Sequence, residues 1–154
     1  MMEIKIYTDG SCLGNPGAGG YCAILKAFKD GKAIKEKIVK GAEANTTNNR
    51  MELKAVIEAL KTLNKTDKKI TIYTDSQYVA NGIKTWLDSW VKKDFEGIKN
   101  EDLWKELYKL LKKFNVEVIW LRSHQKDKGH DHDTNNLCDK IAREEAMKIK
   151  NNLL

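Results

Sequence analysis

Two stretches, Ile6-Tyr7-Thr8-Asp9 and Ile72-Tyr73-Thr74-Asp75, each close an alternating apolar run on an aspartate. In the first, Ile4, Ile6 and Thr8 share one side while Lys5, Tyr7 and Asp9 share the other. In the second, Ile70, Ile72 and Thr74 oppose Thr71, Tyr73 and Asp75. A glycine-rich turn follows one aspartate and a helical segment, SQYVANGI, follows the other. Unlike flanks argue against a local duplication. Parallel neighbouring strands of matched parity would instead bring both carboxylates to one face. That place, beyond the carboxyl ends of strands, is where open α/β sheets hold ligands. Carboxylates a few ångströms apart repel, so one keeps a proton or a cation sits between them. A hard divalent cation such as Mg²⁺ prefers such oxygen ligands.

Two more acids qualify. Glu52 in NNRMELKAV is read on the first turn of a helix, just before an apolar stripe of Leu53, Val56, Ile57, Leu60 and Leu63. A first-turn acid also complements the helix dipole, which alone would explain it. Asp139 in NNLCDKIAREEA lies among apolar Leu137, Cys138 and Ile141, yet it also stands at i,i+4 spacing from Arg143. Periodicity does not unite the four acids.

The elements that must position them read as follows. Residues 3–9 form a strand, then Tyr21–Phe28 and Ala33–Lys40 form a hairpin through Asp30-Gly31. After the polar stretch AEANTTNN comes the Glu52 helix, then a strand over Lys69–Asp75. SQYVANGI reads as a short helix with Ser76 near its cap and Asn81-Gly82 as its close. TWLDSWVKKDFEGIKN is a second short helix running into a basic segment, and EDLWKELYKLLKKF is amphipathic. Val116–Leu121 is a strand, RSHQKDKGHDHD a loop, and Asn135–Lys150 the last helix. A hairpin followed by helix–strand alternation implies an α/β fold, a mixed sheet covered by helices. With 154 residues and no linker, we expect a single domain over 1–154.

Lysine and arginine exceed acids by six, and the pI is about 9.1, a balance that favours phosphate polyanions without identifying one. No apolar tract spans a bilayer, and the N-terminus has no charged leader before an apolar segment. Cys12, Cys22 and Cys138 have no metal-type spacing and fit reduced thiols. A cytoplasmic monomer is the expectation.

TDGSCLGNPGAGGYCAIL, TTNNRMELKAVIEAL, TDSQYV and NNLCDKIA, in this order, closely resemble the signature segments of type 1 ribonuclease H, nearest to bacterial members. The likeness runs from Ile4 to Ala146. It implies a five-stranded mixed sheet in which the first and fourth strands are parallel neighbours. It implies that Asp9, Glu52, Asp75 and Asp139 are the metal ligands, with Asp9 bridging two ions. The implied cofactor is Mg²⁺, with Mn²⁺ as a substitute. The implied reaction is hydrolysis of the RNA strand of RNA–DNA hybrids, leaving 3′-hydroxyl and 5′-phosphate ends. Two ions roughly 3.5–4 Å apart suit in-line phosphoryl transfer.

By the same likeness Cys12, Asn15, Asn48 and Gln77 contact the hybrid, where short polar groups read 2′-hydroxyls in a shallow minor groove. Asn48 could equally cap the helix. Thr47 and Asn100 match phosphate-pocket positions, while Asn45 stands where an arginine is found in some members. Trp86, Trp90, Lys92, Lys93 and Lys99 match an aromatic, basic protrusion. It is shortened here, and Asp94 and Glu96 dilute its charge. Trp104 reads as core, and Trp120 as strand-end packing.

In WLRSH, His124 matches the family's loop histidine and is expected to assist proton transfer or release of metal and product. The stretch after it is longer than usual and carries His130 and His132, either of which could take that place. GNPGAGG is not a phosphate loop, because no Gly-Lys-Ser/Thr follows and a strand comes next. Two alternatives stay open: an integrase- or resolvase-like nuclease on the same sheet, and a non-catalytic module that binds hybrid or duplex.

Overall fold

The computed structural model describes residues 2–64, 66–122 and 129–152. Strands β1 (Met2–Cys12), β2 (Gly17–Lys29), β3 (Lys32–Thr46), β4 (Lys69–Thr74) and β5 (Asn115–Trp120) form one sheet in the order β3-β2-β1-β4-β5. The first three pair antiparallel, whereas β4 runs parallel to β1 and β5 parallel to β4. The expected hairpin turns at Asp30 and Gly31, both at positive φ (51° and 82°). The two IYTD stretches lie side by side in register, Ile6 against Ile72, Tyr7 against Tyr73 and Thr8 against Thr74. The Tyr7 and Tyr73 rings stack with centroids 4.9 Å apart.

The helices are α1 (Asn48–Lys61), α2 (Gln77–Asn81), α3 (Leu87–Lys92), α4 (Glu101–Leu111) and α5 (His130–Asn152). Strand parity divides the core. Ile6, Leu25, Ile70, Ile72 and Val118 meet Leu53, Val56, Ile57 and Leu60 of α1 together with Leu103, Trp104 and Leu107 of α4. Tyr7, Cys22, Ile24 and Tyr73 face the other way, against Cys138 and Ala142 of α5. Leu53, Val56, Ile57 and Leu60 of the α1 stripe are buried, as their spacing predicts, whereas Leu63 lies past the helix end and is only partly buried.

Four boundaries differ from the sequence reading. First, β3 runs through the polar stretch to Thr46, because pairing with β2 continues across a register shift near Gly17–Gly19. Second, Asn81-Gly82 does not close a helix: the chain passes through a π turn, Gly82–Trp86, straight into α3. Gly82 has ordinary helical angles, and a Cβ there would collide with the Trp104 ring. The glycine admits an indole rather than ending a helix. Third, Thr47 caps α1, its hydroxyl accepting from the Arg50 amide at 3.3 Å, so Asn48 is the first helical residue and not the cap. Fourth, α5 begins at His130, not Asn135, so HDHD forms helical turns and not a solvated loop. Tertiary bonds explain this extension. The Tyr7 hydroxyl donates to Asp131 (2.5 Å), and Lys26 Nζ lies 3.0 Å from His130 Nε2 and 3.3 Å from Thr134 Oγ1.

Candidate active site

Asp9 projects from β1 on the α5 side and is 2% exposed. Its Oδ1 accepts from the Gly10 amide at 2.9 Å. The next residue must be glycine, since a Cβ on Gly10 would lie on the Glu52 amide nitrogen and the Met51 carbonyl carbon. Backbone-to-backbone approach of β1 and α1 is what brings Glu52, from the opposite helical layer, to Asp9. Glu52 stands past the first turn of α1, not on it, and is 5% exposed. The dipole-complementing role is therefore the wrong reading of this side chain.

Asp75 follows the last residue of β4, and Ser76 begins the next element by accepting from the Val79 amide at 3.1 Å. The Asp75 carbonyl accepts from the Trp120 indole at 3.1 Å. One carboxylate oxygen from each of Asp9, Glu52 and Asp75 lies within 4.8 Å of the others. Asp139 lies outside this trio, on α5, with its Oδ2 3.2 Å from Arg143 Nη2. Its charge still bears on Asp9. Helix α5 sits close because Gly20 of β2 meets the backbone of Ala142 and Ala146, where a Cβ would clash. Asn135, one turn before Asp139, donates to the Thr8 carbonyl at 3.3 Å, and the Cys138 thiol reaches the carbonyls of Tyr7 and Cys22.

The electrostatics of the trio are unfavourable as it stands. Burial, then Glu52, then Asp75, push the Asp9 carboxyl up to about 12. Burial first, and Asp75 next, hold Glu52 well above the ordinary glutamate range. Asp9 Oδ2 and Glu52 Oε1 are buried without a hydrogen-bond partner. Two orphaned carboxylate oxygens beside a third carboxylate fit a divalent cation, which satisfies lone pairs and charge together. This trio is the one such group among the described residues.

The other expected residues have these surroundings. The Cys12 thiol points at the carbonyls of Gly14 (2.6 Å) and Thr46 (3.4 Å). Asn15 Oδ1 accepts from the Asn48 amide at 3.1 Å, tying the glycine turn to the start of α1. Asn48 and Gln77 are exposed. Trp86 is 41% exposed, whereas Trp90 packs edge-on against the buried Trp104, centroids 4.9 Å apart. Lys92, Lys93 and Lys99 are exposed, as are Asp94 and Glu96, and buried Phe95 anchors the segment between them. Asn100 is half-buried and bonded to Tyr78 and Arg50. His124 lies outside the described residues. His130 is held at Lys26 and Tyr7; Lys26 pairs with Lys5, four positions along β1 from Asp9.

Sequence reasoning missed three contributors. Trp120 is 38% exposed and bonded to the Asp75 backbone, not packed away. Asn135 shares the Asp139 face at i,i+4 spacing, a signal that was legible. Arg50, inside RMEL, ties α1 to α4 through Asp102, which spacing does not reveal.

Comparison with known proteins gives one consistent result. The RNase H family model matches residues 1–147. The chain is 49% identical over 148 residues to Ribonuclease HI of Helicobacter pylori, covering 96% of each chain. It is 49% identical over 149 residues to Ribonuclease HI of Campylobacter jejuni, covering 97% of this chain and 94% of that one. Among solved structures, LC9-RNase H1, described as a type 1 RNase H with the type 2 active-site motif, superposes with a TM-score of 0.80 at 30% identity. That match covers 94% of this chain and 72% of LC9-RNase H1. LC11-RNase H1, solved in complex with an RNA/DNA hybrid, shares the fold with a TM-score of 0.65 at 20% identity, over 95% of this chain and 98% of that one. A carboxylate trio made by the aspartates that close the paired IYTD stretches and by Glu52 of α1, a chain-long family match and near-half identity to ribonucleases HI agree: this chain belongs to the RNase H family.

Proposed function

We propose that this chain is an endoribonuclease that hydrolyses the RNA strand of RNA–DNA hybrids, leaving 3′-hydroxyl and 5′-phosphate ends. The observation that carries the reading is the carboxylate trio, in which buried Asp9 and Glu52 keep two unpartnered oxygens, Asp9 Oδ2 and Glu52 Oε1. Asp9, Glu52 and Asp75 would hold divalent ions, with Asp139 completing the set from α5. Mg²⁺ is the first choice, because every donor is a hard oxygen. When bound, such ions activate the attacking water and stabilise the leaving oxygen. The protein's own part is positional. Gly10 and Gly20 set how near α1 and α5 approach β1 and β2, and hence where the four carboxylates stand.

Substrate choice falls to the rim. Cys12, Asn15, Asn48 and Gln77 offer short polar groups to the 2′-hydroxyl-bearing minor groove. Thr47 and Asn100 meet phosphates of the DNA strand, and Trp86 stacks on it from the protrusion, with Trp90 as its support. His124 assists proton transfer or product release. A net charge of +6 favours capture of a polyanion. Among the described residues no helix is long and apolar enough to cross a membrane. The chain works as one domain and a monomer in the cytoplasm under this reading.

An end-labelled RNA–DNA hybrid tests it, with RNA and DNA duplexes as controls, comparing wild type and Asp9→Asn in Mg²⁺ and in chelator. Mg²⁺-dependent cutting of only the hybrid's RNA strand, lost in the variant, is expected. Binding without cutting in Mg²⁺ or Mn²⁺ would leave a binding module. Cutting of DNA duplex would indicate a resolvase-like nuclease.

A further inference from the structure

Asn100 stands at the N-cap of α4, where an asparagine side chain ordinarily accepts from a first-turn amide. Here it makes no such bond, and its backbone is left-handed at φ 61°. The side chain is committed elsewhere. Its Oδ1 accepts from Arg50 Nη1 at 3.3 Å, and its Nδ2 donates to the Tyr78 hydroxyl at 3.1 Å. The same hydroxyl accepts from Trp104 Nε1 at 2.8 Å, which anchors it to the core. Arg50 is fixed in turn by a two-pronged pair with Asp102, at 2.9 and 2.7 Å. That pairing holds the Asp102 carboxyl down to about 2 and raises Arg50.

An asparagine amide can turn end for end, offering either donors or an acceptor. A guanidinium only donates, so Oδ1 must face Arg50. The –NH₂ end then keeps one free N–H after its bond to Tyr78. For an anion, that end attracts and the carbonyl end repels.

We infer that Arg50 is a positioning residue for the DNA-strand phosphate contact: it orients the Asn100 amide so that a donor, not the carbonyl oxygen, meets the phosphate, while Asp102 holds Arg50 in place. The inference rests on the proposed hybrid substrate and on Asn100 as a phosphate contact. Arg50 also starts from the Thr47 cap, its amide bonded to that hydroxyl, so both expected phosphate contacts are tied to this one residue. Asn45 supplies no cation where an arginine would stand, so the orientation of the Asn100 amide gains weight in this contact.

The test measures KM and kcat on a hybrid for wild type, Arg50→Met, Asn100→Ala, the double variant and Arg50→Lys, with Tm recorded for each. Arg50→Met and Asn100→Ala should each raise KM about tenfold with kcat within about twofold, the size of one hydrogen bond to a charged group. The double variant should be no worse than either single one, because both remove the same contact. Arg50→Lys keeps charge but cannot bridge both partners, so it should stay near Arg50→Met. Effects that multiply in the double variant would overturn the inference. So would full rescue by lysine, or a lowered Tm with unchanged KM. An inactive, non-binding wild type would instead overturn the proposed function, and this inference with it.

Discussion

Replacing Asp9 by asparagine should abolish cutting yet make the metal-free protein more stable. Asp9 is 2% exposed, its Oδ2 has no partner, and its carboxyl is raised to about 12 by burial, Glu52 and Asp75. The unfolded chain ionises this group near 3.9. Between those values the folded state binds more protons than the unfolded one, so stability falls as pH rises, by at most about 1.4 kcal/mol per unit. Water entry and sharing of the proton with Glu52 reduce the sum, and a net cost of about 2 kcal/mol at pH 8 is reasonable for one imperfectly satisfied buried group. Asparagine carries no charge at any of these pH values. In chelator at pH 8 the variant should therefore melt about 4–8 °C above wild type. The gap should narrow as pH falls toward 5. Millimolar Mg²⁺ should raise the wild-type Tm far more than that of the variant. The assay is thermal unfolding by circular dichroism across pH, with and without the ion. A variant that melts at or below wild type in chelator, or parallel pH slopes, would refute the account of a cluster held together against its own charge.

Five other substitutions separate positioning from stability. Gly10→Ala places a Cβ on the Met51–Glu52 backbone and should cost about 3 kcal/mol or more, with Mg²⁺ titration showing weakened binding in any folded fraction. Thr47→Ala removes the α1 cap and should lower stability by about 1 kcal/mol in urea melts, while Asn48→Ala, which removes no cap, should not. Trp86→Ala should leave Tm nearly unchanged but weaken hybrid binding about fivefold in a fluorescence anisotropy titration. Trp90→Ala should lose about 3 kcal/mol of stability through its contact with Trp104.

The sequence by itself determined which side of each strand its aspartate takes, because period-two alternation ends both runs on the same parity; that the two strands are parallel neighbours was implied by the family-like segments and is seen in their register. It determined the α1 stripe and the buried Trp104 for the same reason: which face is apolar is a local property of spacing. Family-like segments named the four carboxylates, and three of them meet as named. What spacing could not reach were contacts between elements. Whether Gly82 ends a helix or admits an indole depends on Trp104, twenty-two residues away in the chain. Whether HDHD is a loop depends on Tyr7 and Lys26. Glu52 looks like a dipole-complementing acid until Gly10 lets its backbone against β1, and Arg50 is one more surface cation until Asn100 and Asp102 come to meet it. Local pattern decides what a residue can do, but its partners come from distant segments, and only the packed chain brings those within bonding distance.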